Sequence, residues 1–100
     1  MSREDWEVFV AIKEERKKKR AERQKSADSA RESIANYIRE SGGRLQSPTP
    51  NHWVVRDEAG VAVCAYWPST MRMQLLPHGK VMTGVQLDAF ARKAREILQE

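Results

Sequence analysis

Few residues in this chain are of a type and spacing that could do chemistry. The two histidines, His52 and His78, and the single cysteine, Cys64, show no metal-ligand spacing with Asp57 or Glu58, so we expect no metal site and no cofactor. One cysteine also excludes a disulfide framework and a cysteine-based zinc finger. Cys64 lies in an apolar run, which is typical of a buried, inert thiol. His52 remains a weak catalytic candidate, as general acid or base on RNA, against the plainer interpretation of a hydrogen-bonded turn histidine.

Positive charge is concentrated in one segment, Lys13–Lys25, with the sequence KEERKKKRAERQK. Its eight basic and three acidic residues give +5, whereas the whole chain is +4 (18 Lys and Arg against 14 Asp and Glu), so the remainder sums to −1. On a helix with about 100° per residue, five cations share an arc of about 120°, with the acids behind it. We call these five residues the basic arc: Lys13, Arg16, Lys17, Arg20 and Arg23.

A one-sided basic helix of this kind can contact phosphates or an acidic protein surface. A solvated helix that keeps the chain soluble is the alternative. Apolar residues precede the basic arc at helix spacing, with Trp6, Phe9 and Val10 on one face and Val8 and Ile12 on another. They must either fold back on the domain or meet another copy, so the sequence predicts a homodimer through the N-terminal helix.

The elements that must position these residues can be predicted from periodicity. Ala27, Ala30, Ile34 and Ile38 continue a helix up to Gly42-Gly43, either unbroken from Ser2 to Ser41 or broken near Ser26–Ser29. After a turn or linker at Ser47–Asn51, the segments Trp53–Val55, Val61–Trp67 and Met71–Leu76 are predicted strands. A clear amphipathic stripe then predicts a C-terminal helix, through Leu87, Phe90, Ala91, Ala94, Ile97 and Leu98.

The predicted fold class is therefore α+β. It has an N-terminal helix, long or broken, a three-stranded antiparallel sheet, and a C-terminal amphipathic helix packed on the sheet. The predicted domains are a helical arm, residues 1–26, and a small αβββα domain, residues 27–100. Among the aromatic residues, Trp53 and Trp67 are expected in the core, and Tyr66, opposite Trp67 on the pleat, is the better candidate for an exposed ring.

Three segments resemble a group of small uncharacterised bacteriophage and prophage proteins: KKRAERQKS (Lys18–Ser26), NHWVV (Asn51–Val55) and YWPST (Tyr66–Thr70). In that group an aromatic–Trp–Pro–small–Thr cluster is followed by glycine and lysine, where this chain has Met71-Arg72. The resemblance implies a viral accessory role. The order αβββα is also similar to that of double-stranded-RNA-binding domains and of HicA-like toxin ribonucleases, whose catalytic histidine only His52 could match.

The expected function is that of a phage-type accessory protein, not an enzyme, which uses the basic arc to bind nucleic acid or an acidic, nucleic-acid-binding host protein. Two alternatives stay open: an anti-CRISPR-like or anti-restriction inhibitor acting by protein contact, and a HicA-like ribonuclease using His52. No apolar stretch approaches 18 residues and the first 12 residues are too charged for a signal peptide. We therefore expect no membrane partner and a location in the cytoplasm of a bacterial host cell.

Overall fold

The computed structural model describes the backbone of residues 3–100 and the side chains of residues 10–100. Two helices and five strands follow one another along this part of the chain. In order they are α1 (Arg3–Arg39), β1 (Arg44–Thr49), β2 (His52–Arg56), β3 (Ala62–Trp67), β4 (Arg72–Leu75), β5 (Val81–Met82) and α2 (Leu87–Gln99). The predicted α+β class, with one helix at each end, is confirmed.

Helix α1 is continuous through the Ser26–Ser29 cluster, so the long helix is correct and the broken one is wrong. Asp28 does not cap a new helix there, because its carboxylate accepts a hydrogen bond from Gln24 Nε2 one turn earlier (3.0 Å). Ala27 is fully buried, so this region of α1 is held by packing. The helix ends where Gly42 takes a positive φ of 84° and the Gly43 N–H donates to Ile38 O (3.1 Å).

The sheet is an antiparallel meander in the order β1-β2-β3-β4-β5, so the prediction of three strands is wrong. The predicted linker Ser47–Asn51 lies partly within β1, which pairs with β2 and shifts register between Gln46 and Thr49. At the other edge, the two-residue β5 pairs with β4. Both strands escaped prediction because they are held by backbone pairing and show no alternation of apolar and polar residues over a useful length.

The core lies between one face of the sheet and the two helices. Trp53, Tyr66 and Phe90 are its largest members, each at most 1% exposed. Their rings pack together, with centroids 4.4 Å apart for Tyr66 and Phe90 and 6.1 Å apart for Trp53 and Phe90, distances usual for aromatic pairs. The same cluster includes Ala27, Ile34, Ile38, Leu45, Val55, Cys64, Met73, Ala91 and Ala94.

The N-terminal part of α1 extends beyond this core. We call its exposed residues 11–22 the projecting helix, and the sheet with the packed parts of both helices the body. Residues 11–22 are exposed without interruption, which corresponds to about 18 Å of helix. The radius of gyration is 16.3 Å, whereas a compact 100-residue chain has about 13 Å. The predicted boundary between arm and domain, after residue 26, falls inside α1 and stays a prediction. None of the described helices is long and apolar enough to cross a membrane.

Candidate functional site

The basic arc continues the line of residues by which α1 packs on the sheet. Positions 16, 20, 23, 27, 30, 34 and 38 follow one another at intervals of three or four and therefore form one line along the helix. Over the sheet, this line is apolar and buried or half-buried, through Ala27, Ala30, Ile34 and Ile38. Beyond the sheet, the same line becomes Arg23, Arg20 and Arg16, with Lys13 and Lys17 on its flank. The arginines of the arc thus lie on the same side of α1 as the apolar line by which the helix packs on the sheet.

Four residues of the basic arc, Lys13, Arg16, Lys17 and Arg20, are exposed. Among side chains 10–100, the ion pair of the projecting helix joins Lys19 Nζ and Glu15 Oε1 at 3.6 Å, and both side chains are at least 60% exposed. Such a pair contributes little to stability, and neither partner belongs to the arc. Within the described side chains, then, the cations of the arc keep their charge available for an external anion.

Arg23 is the exception, because it joins the projecting helix to the body. Its Nη1 donates to the carbonyl oxygen of Ser69 (3.3 Å), and its side chain is half-buried. The neighbouring Gln24 donates from Nε2 to the carbonyl oxygen of Pro50 (2.7 Å). Two turns of the sheet therefore hold the same point of α1, which fixes the direction in which the free part of the helix leaves the body.

The three segments quoted above for their resemblance meet at this point. Gln24 and Trp53 Nε1 (3.1 Å) both donate to Pro50 O, and Asn51 Oδ1 accepts from the Ser69 N–H (2.9 Å). Residues far apart in sequence thus form one polar junction. This junction holds α1 at the point where the projecting helix leaves the sheet. Nothing in the sequence pattern predicts that these three segments meet.

A cavity of about 510 Å³ lies beside the junction, between α1 and the start of α2. Its lining includes Lys19 and Arg23 from α1, but also the carboxylates of Glu22 and Asp88, so its formal charge is balanced. The remaining lining is Ser26, Tyr66, Pro68, Met71, Gln86 and Leu87. The cavity therefore does not itself favour an anion. The positively charged surface is the free part of the helix, from Lys13 to Arg20.

Tyr66 is not the exposed ring that the sequence suggested. It is 1% exposed, stacks on Phe90 and donates its hydroxyl to the carbonyl oxygen of Val85 (2.6 Å). Burial raises the pKa of Tyr66 to about 12, although the charge of Arg23 acts in the opposite direction. The expectation for Trp67 is wrong in the same way, since this ring is half-exposed on the other face, whereas the expectation that Trp53 is buried is confirmed.

His52 lies on the sheet face that carries Trp67, and the two rings stack with centroids 5.1 Å apart and planes 3° apart. None of the hydrogen bonds or ion pairs formed among side chains 10–100 involves its imidazole. Three His, Cys, Asp or Glu residues do not come together anywhere in the described residues. None of the described side chains is therefore placed to orient His52 as a base. The hypothesis of a HicA-like ribonuclease that uses His52 stays an untested alternative.

Cys64 is fully buried, and burial raises the pKa of its thiol to about 12. The predicted inert thiol thus agrees with its surroundings, because the reactive thiolate is disfavoured.

The predicted self-association surface is described only in part. Val10 is half-exposed and Ile12 is 46% exposed. The side chains of Trp6, Val8 and Phe9 lie outside the described residues. Homodimer formation through this surface stays a prediction.

Comparison of the chain with protein-family models, with curated proteins and with solved structures finds no match.

Proposed function

We propose that this protein is a non-enzymatic accessory protein that binds double-stranded nucleic acid through the basic arc of α1. One observation carries the proposal: the line along which α1 packs on its own sheet continues, beyond the sheet, as exposed arginines. This line of α1 is apolar where it packs on the sheet and cationic where it projects. Such a line is suited to contact a negatively charged partner that lies beside the sheet.

The junction at Arg23 supports the same proposal. Because Arg23 and Gln24 bond to two different turns, the root of the projecting helix is fixed before any partner binds. A preorganised cationic helix loses less conformational entropy on binding than a flexible basic tail would. Lys13 and Arg20 are separated by about 10 Å along the helix axis, a length over which a duplex presents about six phosphate charges.

The proposal concerns a phage-type protein acting in the cytoplasm of a bacterial host, as the resemblance of its three segments implies. Contact with an acidic host protein through the same arc is the competing outcome. The two are separated by binding that persists, or is lost, after the nucleic acid is digested by nuclease.

The test compares two double variants of equal charge. Arg16→Gln with Arg20→Gln removes two cations from the arc, whereas Lys18→Gln with Lys25→Gln removes two exposed cations from another side of the same helix. Duplex DNA and duplex RNA are titrated between about 50 and 200 mM salt, with fluorescence anisotropy as readout. With four phosphate contacts, from Lys13, Arg16, Lys17 and Arg20, the affinity of the unaltered protein should fall about 150-fold over this range.

The arc variant retains two contacts and should fall only about 12-fold over the same range, with much weaker binding at the lower salt concentration. The control variant should behave as the unaltered protein does. Equal behaviour of the two variants, or an affinity insensitive to salt, would refute the proposal.

A further inference from the structure

One face of the sheet is left open by both helices. The large core residues of the strands, such as Trp53 and Tyr66, pack on the helix side. Register places the alternate residues together on the other side, in the cross-strand row Gln46, Val54, Ala65, Gln74 and Val81. In the part of the chain that the structure describes, no helix or strand covers this open face. Val54 and Ala65 at its centre are nevertheless only 8% and 3% exposed, so the accessible residues are those around them, Trp67 and Arg72 among them.

Aromatic rings and cations share this open face. Trp67 is half-exposed and is the register partner of Arg72, an exposed residue. His52 stacks on the same indole. Arg44 and Arg56 are register partners at the far end of the sheet, where Arg56 Nε donates to Gln46 Oε1 (2.8 Å). This surface therefore offers both stacking and charge.

None of the five strands contains an aspartate or a glutamate. Their charged residues are Arg44, Arg56 and Arg72, so the strands carry +3. A second copy of this chain packed face to face would bring like charges together, which costs free energy. The charge of the face instead complements an anionic partner.

We propose that the open face binds single-stranded nucleic acid, with an unpaired base on Trp67 and phosphates near Arg72. A shallow cavity of about 300 Å³ beside the indole is lined by Asn51, Trp67, Thr70, Arg72 and Val81, which places an apolar wall and a cation next to the aromatic ring. Unpaired bases expose faces that can stack on aromatic side chains, and stacking is tolerant of sequence. A duplex keeps these faces inside its own stack and gains nothing from Trp67.

This site shares no residue with the basic arc, and it goes beyond the proposed function. Fluorescence anisotropy with a short oligothymidylate is compared with an abasic strand of the same length and charge. The unaltered protein should bind the strand with bases about 5- to 150-fold more tightly, the range for stacking of one base on an aromatic ring. Trp67→Leu should bring this ratio close to one, and Trp67→Phe, which keeps a ring, should retain most of it.

Because the basic arc lies on the helix side of the sheet, Arg16→Gln with Arg20→Gln should weaken duplex binding and leave the ratio between the two single strands unchanged. Failure of the basic arc and failure of the open face are therefore distinguished. Arg72→Gln, at an exposed position where folding is not at risk, should weaken oligothymidylate binding and leave duplex binding intact.

Three results with nucleic acid would overturn the proposal. They are equal affinity of the unaltered protein for the two strands, an unchanged ratio in Trp67→Leu, and equal losses for duplex and oligothymidylate in Arg72→Gln. Equally tight binding of polyglutamate of matched charge would also overturn it, because it would show that the face selects charge and not bases.

Discussion

Met71 has a backbone conformation that favours glycine. We therefore predict that glycine at this position gives a more stable protein than alanine, the reverse of the usual order. Its φ is 53°, and it is the one non-glycine residue with a positive φ among residues 3–100. The conformation is held at both ends, because the Met71 N–H donates to Pro68 O (3.3 Å) and its carbonyl accepts from the Val85 N–H (2.9 Å). The left-handed region costs an L-residue about 1–2 kcal/mol.

The variants to compare are Met71→Ala and Met71→Gly, because both lose the side chain beyond Cβ and, apart from the Cβ methyl group, differ in backbone conformational freedom. Glycine escapes the penalty of about 1–2 kcal/mol but loses about 0.5–1 kcal/mol more conformational entropy on folding. The glycine variant should therefore be more stable by about 0.7 kcal/mol, the centre of a range of about 0–1.5 kcal/mol. With a urea m value of about 1 kcal/mol per M, its midpoint should lie about 0.7 M higher.

The adjacent Thr70, which has no positive φ, supplies the matched control pair. Thr70→Gly should be about 0.5–1 kcal/mol less stable than Thr70→Ala, the ordinary order. Urea unfolding followed by circular dichroism measures all four variants. If glycine is the less stable residue at position 71 as well, the account of Met71 is wrong.

Two further predictions concern alkaline pH and self-association. Burial raises the pKa of Cys64 and of Tyr66 to about 12 from ordinary values of 9.0 and 10.0, so the unfolded chain loses these protons first. The free energy of unfolding should then be unaffected by these groups below about pH 9 and fall as the pH rises towards 12. Urea midpoints measured across this range check it, and in Cys64→Ala the fall should begin about one pH unit later; a midpoint independent of pH would contradict the assignment. Ile12→Ser should shift any dimer towards monomer in analytical ultracentrifugation with an unchanged circular dichroism spectrum, because it removes a 46% exposed apolar side chain; an unaltered dimer would exclude this surface.

Periodicity is sufficient to place both helices and the central strands, but it leaves open whether α1 breaks near Ser26–Ser29. The apolar line through Ile34 and Ile38 and the stripe through Phe90 and Ala94 each repeat often enough to identify a helix and its buried face. The outer strands were missed because β1 contributes one buried residue, Leu45, and β5 contributes none. Their place is decided by hydrogen bonding to a neighbour, which leaves no pattern within the strand itself.

The basic arc was visible in the sequence, but its direction was not. A wheel shows that Arg16, Arg20 and Arg23 share one side, and extension of the same wheel to Ala27 and Ile34 would have shown that this side faces the sheet. It was harder to predict that Tyr66 is the buried ring and Trp67 the half-exposed one. Alternation shows only that the two rings face opposite ways, and the choice between faces depends on where Phe90 packs.

The edges of the sheet limit how this protein can associate with other chains. At one edge, β1 contains Pro48, which has no N–H to donate, and its register is disturbed between Gln46 and Thr49. At the other edge, β5 is only two residues long. Neither edge offers a long, regular row of free backbone groups, so addition of a foreign strand and edge-to-edge aggregation are both disfavoured. Partners should therefore be recognised through side chains and not through backbone pairing at the sheet edges.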